Sequence, residues 1–394
     1  MKFSRQIIRV LLILILLAFI CSSGDAISGG EISTQTQIAD SSAKTSRGNL
    51  SAEALQRIRV LESVCAQDLA TPPRGIGPLA EKVRGSLLEA ASSLAMTLKP
   101  SVAIITGFWI MRNEIKRPDG TIEYLGDASE TDGPVGTAHL AAGLAHAGIP
   151  MRVVTDKPNE SAVRAALEEA TSGIGVTVPL EVVPWDLPNE SAPADGTLDK
   201  QMEKARSSIA SIVEQWKLIK ITHVMALERV GPARSDGRPH NMAGADVSKY
   251  TAPLHLLYEA GGWTKLAVGD GGNEIGMGSL DMKLINKSIT NGKGGIIANA
   301  IPADYLQVCG VSNWGGPTFL FALALLRPDM AEQLLAGLTP EKDKAILQAA
   351  VEKGPAVDGI RGTRELSVDN MDWVKHAELL KQLWKAYRKG NSIN

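Results

Sequence analysis

Val268-Gly269-Asp270-Gly271-Gly272-Asn273-Glu274-Ile275-Gly276-Met277-Gly278 is the stretch whose reading organises the rest of this chain. The apolar run Leu266–Val268 reads as the end of a buried strand. It leads directly into a glycine-rich turn carrying two carboxylates and an amide. Glycine lets a backbone take positive φ and bring its N–H groups close to a ligand. Asp270, Asn273 and Glu274 offer only hard oxygen acceptors and amide donors, which suit a divalent cation or a polar substrate and not a soft metal. A dinucleotide fingerprint is excluded, because its third glycine position holds Glu274, and a phosphate loop is excluded, because Met277 stands where Lys is needed. A plain strand-to-helix turn would need the glycines but not the three polar residues among them.

Working outward, short apolar runs alternate with helical periodicity. Strands are expected at 101–105, 151–155, 180–183, 221–227, 265–268, 295–300 and 306–311. Helices are expected at 52–67, 78–98, 136–147, 161–170, 200–216, 252–260, 317–326, 330–338, 341–352 and 372–388. The stretch 186–199 reads as a surface insertion. Continuous apolar strands between helices predict an α/β fold of three layers, a mostly parallel sheet with helices on both faces. In such sheets the ligand site lies beyond the carboxyl ends of the strands.

The 394 residues allow one large domain or two medium ones. A formal charge of -2 and an aromatic content of 4% give neither the field nor the stacking surface expected of a nucleic-acid binder. At the N-terminus, Lys2, Arg5 and Arg9 precede the apolar run Val10–Ile20, and Gly24-Asp25-Ala26 supplies small residues for cleavage. Residues 1–26 are expected to be a secretory signal peptide, or an anchor if uncleaved, so that any membrane contact runs through this segment. The run is too continuous for an organellar presequence, and Ile20 is too large for a lipobox ahead of Cys21. Residues 27–50 read as a disordered linker rich in Ser, Thr, Gly and Gln, and 51–394 as the folded domain. Cys65 and Cys309 read as core residues rather than a disulfide, without a CxxC. Sequons at Asn49, Asn159, Asn189 and Asn286 matter only if the chain meets a glycosylating secretory route.

Polar segments follow strand after strand. Thr106-Gly107-Phe108 closes the first, and a long loop then delivers Glu130-Thr131-Asp132-Gly133-Pro134 to a helix start, where Asp132 is either a cap or a ligand for a metal or an ammonium group. Glu228-Arg229 follows the 221–227 strand, with Arg234, Asp236, Arg238, Asn241 and Asp246 behind it. An arginine there could fork onto a carboxylate or phosphate, or belong to a solvated salt-bridged loop. His240 reads as incidental. Val311-Ser312-Asn313-Trp314-Gly315-Gly316 places Ser312 and Asn313 either in the site or as helix caps. Asp358 and Asp369 sit in turn-like contexts that turns alone explain. No G-x-S-x-G elbow is present, so the set suits an anionic substrate and acid–base or metal-assisted chemistry.

Taken together, TGF (106–108), ETDGP (130–134), ER-x-G (228–231), the Asp236-Gly237 and Asn241-Met242 region, GDGGNEIGMG (269–278), VSNWGG (311–316) and Asp358-Gly359 resemble the C-terminal domain of the D-glutamate cyclase family, over roughly residues 66 to 370. Ala243 and Asn370 depart from the pattern, where Arg and Gly are expected. So does the segment ahead of the domain, where the full cyclase carries another large domain. The resemblance implies a lyase that dehydrates D-glutamate, or a related acidic amino acid, to 5-oxo-D-proline. The same acidic cluster would also serve a metal-dependent hydrolase of phosphate or amide bonds, or a non-catalytic binder of acidic amino acids. The expected metal ligands are Glu130, Asp132, Asp270 and Glu274, holding Mg or Mn, with no nucleotide cofactor. Glu228, Asp270 and Glu274 are the expected catalytic groups. Arg229, Arg234, Asn273, Ser312, Asn313 and Thr106 are expected to contact the substrate, and nothing in the chain forbids a homo-oligomer.

Overall fold

Six strands form one parallel sheet, and their carboxyl ends define the working edge of the molecule. They are β1 (Val102–Thr106), β2 (Met151–Asp156), β3 (Leu180–Val183), β4 (His223–Leu227), β5 (Thr264–Gly269) and β6 (Tyr305–Val308), in the order β3-β2-β1-β4-β5-β6. Every pairing is parallel, with Ile104 of β1 opposite Val153 on one side and Met225 on the other. The computed structural model describes residues 51–117, 119–188 and 197–389. The expected signal and linker, the core of the 186–199 insertion and the sequon at Asn189 therefore lie outside the described residues.

β1 is buried along its whole length, which is why it reads as an unbroken apolar run. Successive side chains of a strand point to opposite faces. Val102 and Ile104 join Val153, Met225, Leu227, Leu266 and Val268 in the larger core. Ala103 and Ile105 join Val154, Val224 and Ala226 in the smaller one.

The larger core is covered by α1 (Ala52–Cys65), α2 (Ser86–Ala95), α3 (Pro134–His146), α4 (Glu160–Thr171), α6 (Ser312–Leu326), α7 (Pro340–Glu352) and α8 (Trp373–Lys389). The smaller is covered by α5 (Thr197–Leu218) and the short helix His255–Glu259. Towards β6 the same face is finished by Met277, Leu280 and Ile285 against Ala267, Leu306 and Val308. Crossovers from β1 to β3 thus run on one face and those from β3 to β5 on the other. The strand order is that of doubly wound sheets, with its reversal between β1 and β4. The expected three-layer α/β fold is the fold observed.

Three local expectations are corrected. Residues 295–300 are not a strand: Gly294–Ile297 is a single helical turn, and the Asn286 side chain takes the Gly295 N–H at 2.8 Å. A short apolar run does not distinguish the two by period alone. The helix expected over 78–98 breaks at Gly85, whose φ is 97° and whose N–H is caught by the Glu62 carboxylate. α6 begins at Ser312 instead of Pro317. A hairpin, Asn113–Lys116 with Ile122–Leu125, was not anticipated; its pairing is antiparallel and its side chains largely exposed.

α3 and α6 touch backbone to backbone. A Cβ on Gly316 would stand 2.2 Å from the Gly136 carbonyl oxygen, and one on Gly136 would stand 2.6 Å from Asn313 Cα. Neither neighbour is a flexible side chain, so relief would require the helices to separate. Gly316→Ala is expected to cost about 3 kcal/mol. Gly337→Ala, with no atom within 4 Å of its new methyl, is expected to be near neutral. Urea unfolding of the two variants checks this; equal midpoints would show that the crossing is not tight.

Candidate functional site

Asp132, Glu228 and Asp270 meet where the sheet reverses. Each offers one carboxylate oxygen such that the three atoms lie within 4.8 Å of one another, and all three residues are buried. They arrive from three directions. Asp132 ends the loop between β1 and α3, Glu228 follows β4, and Asp270 follows β5. Glu228 takes φ 46°, a conformation L side chains avoid, which turns the chain sharply off the strand.

Ser312 ties the three together. Its N–H lies 3.0 Å from both Asp132 Oδ2 and Asp270 Oδ2, and its hydroxyl donates to Glu228 Oε2 at 2.6 Å. Asp132 Oδ1 further accepts the N–H of Asn313 at 2.7 Å and of Gly133 at 2.9 Å. Asn313 answers across the gap. Its Oδ1 accepts from Gly133 N at 2.8 Å and Gly136 N at 2.7 Å, and its amide donates to the Thr131 carbonyl at 2.9 Å. So the residue ahead of α3 caps α6, and a first-turn residue of α6 caps α3. Both helix N-termini, each carrying partial positive charge, converge on the acids.

Several sequence expectations are redistributed. Glu274 is held away from the trio: its Oε1 accepts the N–H groups of Asp270 and Gly271 at 2.6 Å each, and Oε2 that of Gly272 at 2.7 Å. It closes the glycine turn from within and takes the N–H groups that were expected to face a ligand. Glu130 also falls outside the trio, packed so closely on Gly359 that a Cβ there would overlap Oε1 at 1.6 Å. Arg229 is sealed at 1% exposure by Asp156 at 2.6 Å and the carbonyls of Gly107 and Ala252 at 2.7 Å each. Arg234 is spent on the Gly278 carbonyl, and Asn273 donates to the His240 carbonyl at 2.9 Å. Both lock the loop after β4 onto the glycine turn. Thr106 is buried beside the site with a hydroxyl that has no partner, and a Cβ on Gly133 would lie 2.9 Å from it. His240 pairs locally with Asp236 at 3.0 Å.

Two residues that the structure brings to the site escaped the sequence reading. Arg74 reaches in from the loop after α1, with Nη1 2.8 Å from Asp270 Oδ1 and Nη2 on Asp369. Its loop is set by Asp68, which accepts from Arg74 N at 3.2 Å and Gly75 N at 2.8 Å. The only signal in the sequence was an arginine between a proline pair and a glycine, Pro72-Pro73-Arg74-Gly75. Asp369 had been assigned to a turn, and it does stand at φ 54°, but its carboxylate faces Arg74. Its neighbour Asn370 takes φ 62°, which suits the glycine expected there and which Asn tolerates. Asp358 is the turn residue the sequence suggested, accepting from Ile360, Arg361 and Asn370 N–H groups.

Burial dominates the electrostatics. It pushes Asp132 up to about 8, with Asp369 adding to the rise, while a hydrogen bond to Asp270 and the charge of Arg74 oppose it. Burial likewise raises Glu228 well above the usual carboxylate range, reinforced by Glu274, Asp132 and Glu130. Asp270 is raised by burial against the pull of Arg74, and Glu130 by burial and Asp369. Crowded acids facing one guanidinium form an anion-rich pocket that favours a cation or shared protons. An all-oxygen donor set of this kind fits Mg, Mn or Ca rather than a thiolate-seeking metal.

Comparison with known proteins places the chain in a family. The chain is 30% identical over 280 residues to the human protein D-glutamate cyclase, mitochondrial, an alignment that covers 70% of this chain and 40% of the human one. The chain thus matches less than half the length of that relative. A family model described as D-glutamate cyclase-like, C-terminal matches residues 61–384, which contain all the site residues above. On that match the chain belongs to the D-glutamate cyclase-like C-terminal family.

Proposed function

We propose that the site dehydrates an acidic amino acid, D-glutamate in the first instance, to the cyclic amide 5-oxo-D-proline, with a divalent cation held by Asp132 and Asp270 and the protons moved by Glu228. The observation that carries this reading is the buried carboxylate trio at the switch point of the sheet, in a chain of this family. Such a cation, when bound, supplies Lewis acidity to a carboxylate oxygen.

The reaction joins the α-nitrogen to Cδ, the carbon of the γ-carboxylate, and breaks one of that carboxylate's C–O bonds. The departing oxygen takes two protons from the ammonium nitrogen and leaves as water, and the amide nitrogen keeps the third. Glu228 is the group suited to move these protons. Its carboxylate is hydrogen-bonded by the Ser312 hydroxyl, whereas Asp132 is stabilised by three backbone N–H groups and Asp270 by one together with Arg74. Hydrogen bonds to the charged form hold a carboxylate ionised. Burial still raises both aspartates in the ion-free site, but these bonds make Asp132 and Asp270 the two suited to become anionic ligands when a cation displaces their protons, and leave Glu228 as the acid–base residue. The unpartnered Thr106 hydroxyl is placed to meet a substrate polar group.

Proton NMR of D-glutamate incubated with the purified chain, with and without Mg or Mn, is the direct test, and 5-oxoproline above the uncatalysed background is expected. Asp270→Asn should reduce turnover by about 100-fold or more and weaken cation binding in calorimetry. Unchanged turnover and affinity in that variant would rule the scheme out. Product from phosphorylated or amidated acids alone would move the site to the hydrolases.

The raised carboxyl of Asp132 also fixes a sign for pH. Its folded value near 8 lies above its ordinary 3.8, so folding favours the protonated form. The stability this lends is complete below about pH 4 and is lost as pH rises through about 8. Without divalent ions the melting temperature should fall between pH 5 and 8, less so in Asp132→Asn. Added Mn should oppose the fall, because an ion that displaces the protons binds better as pH rises. A melting temperature that climbs through this window in the ion-free protein would contradict the assignment.

A further inference from the structure

We propose that Arg74 is the specificity-determining residue of the site: it holds Asp270 while no cation is bound and grips the α-carboxylate of the acidic ligand once a cation has taken Asp270. This rests on the reading of the site as one for an acidic amino acid.

Four observations lead there. A ligand with a carboxylate at each end needs a cationic group for the end that does not react, and the two arginines expected to contact the substrate are committed elsewhere. Arg229 is sealed beside Asp156, and Arg234 is bound to the Gly278 carbonyl. Arg74 instead enters the trio itself and keeps a 13% exposed side chain. Its contacts are with carboxylates, not backbone carbonyls, so they are of the kind a ligand carboxylate can replace. Finally, its Nε is buried with no partner, as is that of the sealed Arg229, while the adjacent Nη2 bonds only the Asp369 carboxylate. The edge of the guanidinium that normally receives a carboxylate with two parallel bonds is half used.

The backbone beneath is fixed in advance. Asp68 fastens Arg74 and Gly75, and Gly75 takes φ 90° where a Cβ would collide with the Ser288 carbonyl oxygen at 1.9 Å. The guanidinium is thus presented from a rigid loop, and only its partners change. Because Nη1 and a divalent ion compete for the same carboxylate, that of Asp270, the cation should bind first and free the arginine for the ligand. Asp369, on its separate turn, holds the arginine until the ligand arrives.

Calorimetry with Mn and then with D-glutamate or its α-amide, which lacks the α-carboxylate, tests this on the full chain, with melting curves to confirm folding. In the wild-type protein D-glutamate should bind roughly 10- to 100-fold better than the α-amide, the worth of one charge-assisted pair, and only when Mn is present. In Arg74→Gln this preference should collapse towards one while Mn affinity rises several-fold. Arg74→Lys, which keeps the charge but not the forked edge, should be intermediate in preference, and it carries the test if Arg74→Gln does not fold. A preference kept in the variants, or Mn affinity falling with ligand affinity, would overturn the role of Arg74 alone. A wild-type protein that binds Mn but neither ligand would overturn the site reading itself, and the anchor with it.

Discussion

Asp132 and Asn313 exchange places across two helix N-termini, and the site depends on that exchange. Asp132 precedes α3 yet accepts from the first N–H groups of α6, while Asn313 belongs to α6 yet accepts from Gly133 and Gly136. An N-terminal turn leaves unsatisfied donors that must find acceptors when buried. Here each helix supplies the other's acceptor, so neither end can shift without stranding donors of its partner. The arrangement is possible only because Gly136 and Gly316 let the helices approach to backbone contact. Two sites 180 residues apart in the chain are thereby fixed to each other at hydrogen-bond precision.

That same lock explains how so many acids can be buried together. The two helix ends and the Ser312 N–H direct positive charge at Asp132 and Asp270, and Arg74 adds a full charge from a third direction. Glu228 lies at the least compensated point, with a hydroxyl for a partner and acidic neighbours that raise its proton affinity. In the proposed scheme, difference in compensation, not difference in residue type, separates a ligand from an acid–base group. Glu274 shows the converse. It is as buried as the others, but three consecutive N–H groups of the glycine turn enclose it, and it serves the backbone.

The sheet was legible in the sequence because its strands are buried on both faces and read as unbroken apolar runs, as in Val102–Thr106. The position of the site was legible too, since each polar segment follows a strand. What could not be read was the direction of each side chain. Glu274 and Asp270 lie four residues apart in one turn, and a glycine-rich turn can aim its N–H groups outward at a ligand or inward at its own carboxylate. Composition does not decide between these. Arg229 stands directly beside Glu228, but neighbouring residues near a strand end point to opposite sides, and this one turns to Asp156 beneath the loop. Arg74 was invisible for another reason. It comes from a connection between two helices, ahead of the first strand, where the strand-end rule gives no guidance.

The two misplaced arginines share a physical cause. A guanidinium buried under loops needs acceptors on several sides, and Arg229 finds them in one carboxylate and two carbonyls, which makes it a fastener for the β1, β2 and β4 ends. Its Nε has no partner, but at 1% exposure the side chain is closed off from a ligand by the groups it fastens. An arginine held only by carboxylates that other cations could take is in a different position: its contacts can be exchanged without leaving backbone carbonyls unpaired. In this fold the rigid arginine builds the end of the sheet, and the exchangeable one faces the acids that the end of the sheet assembles.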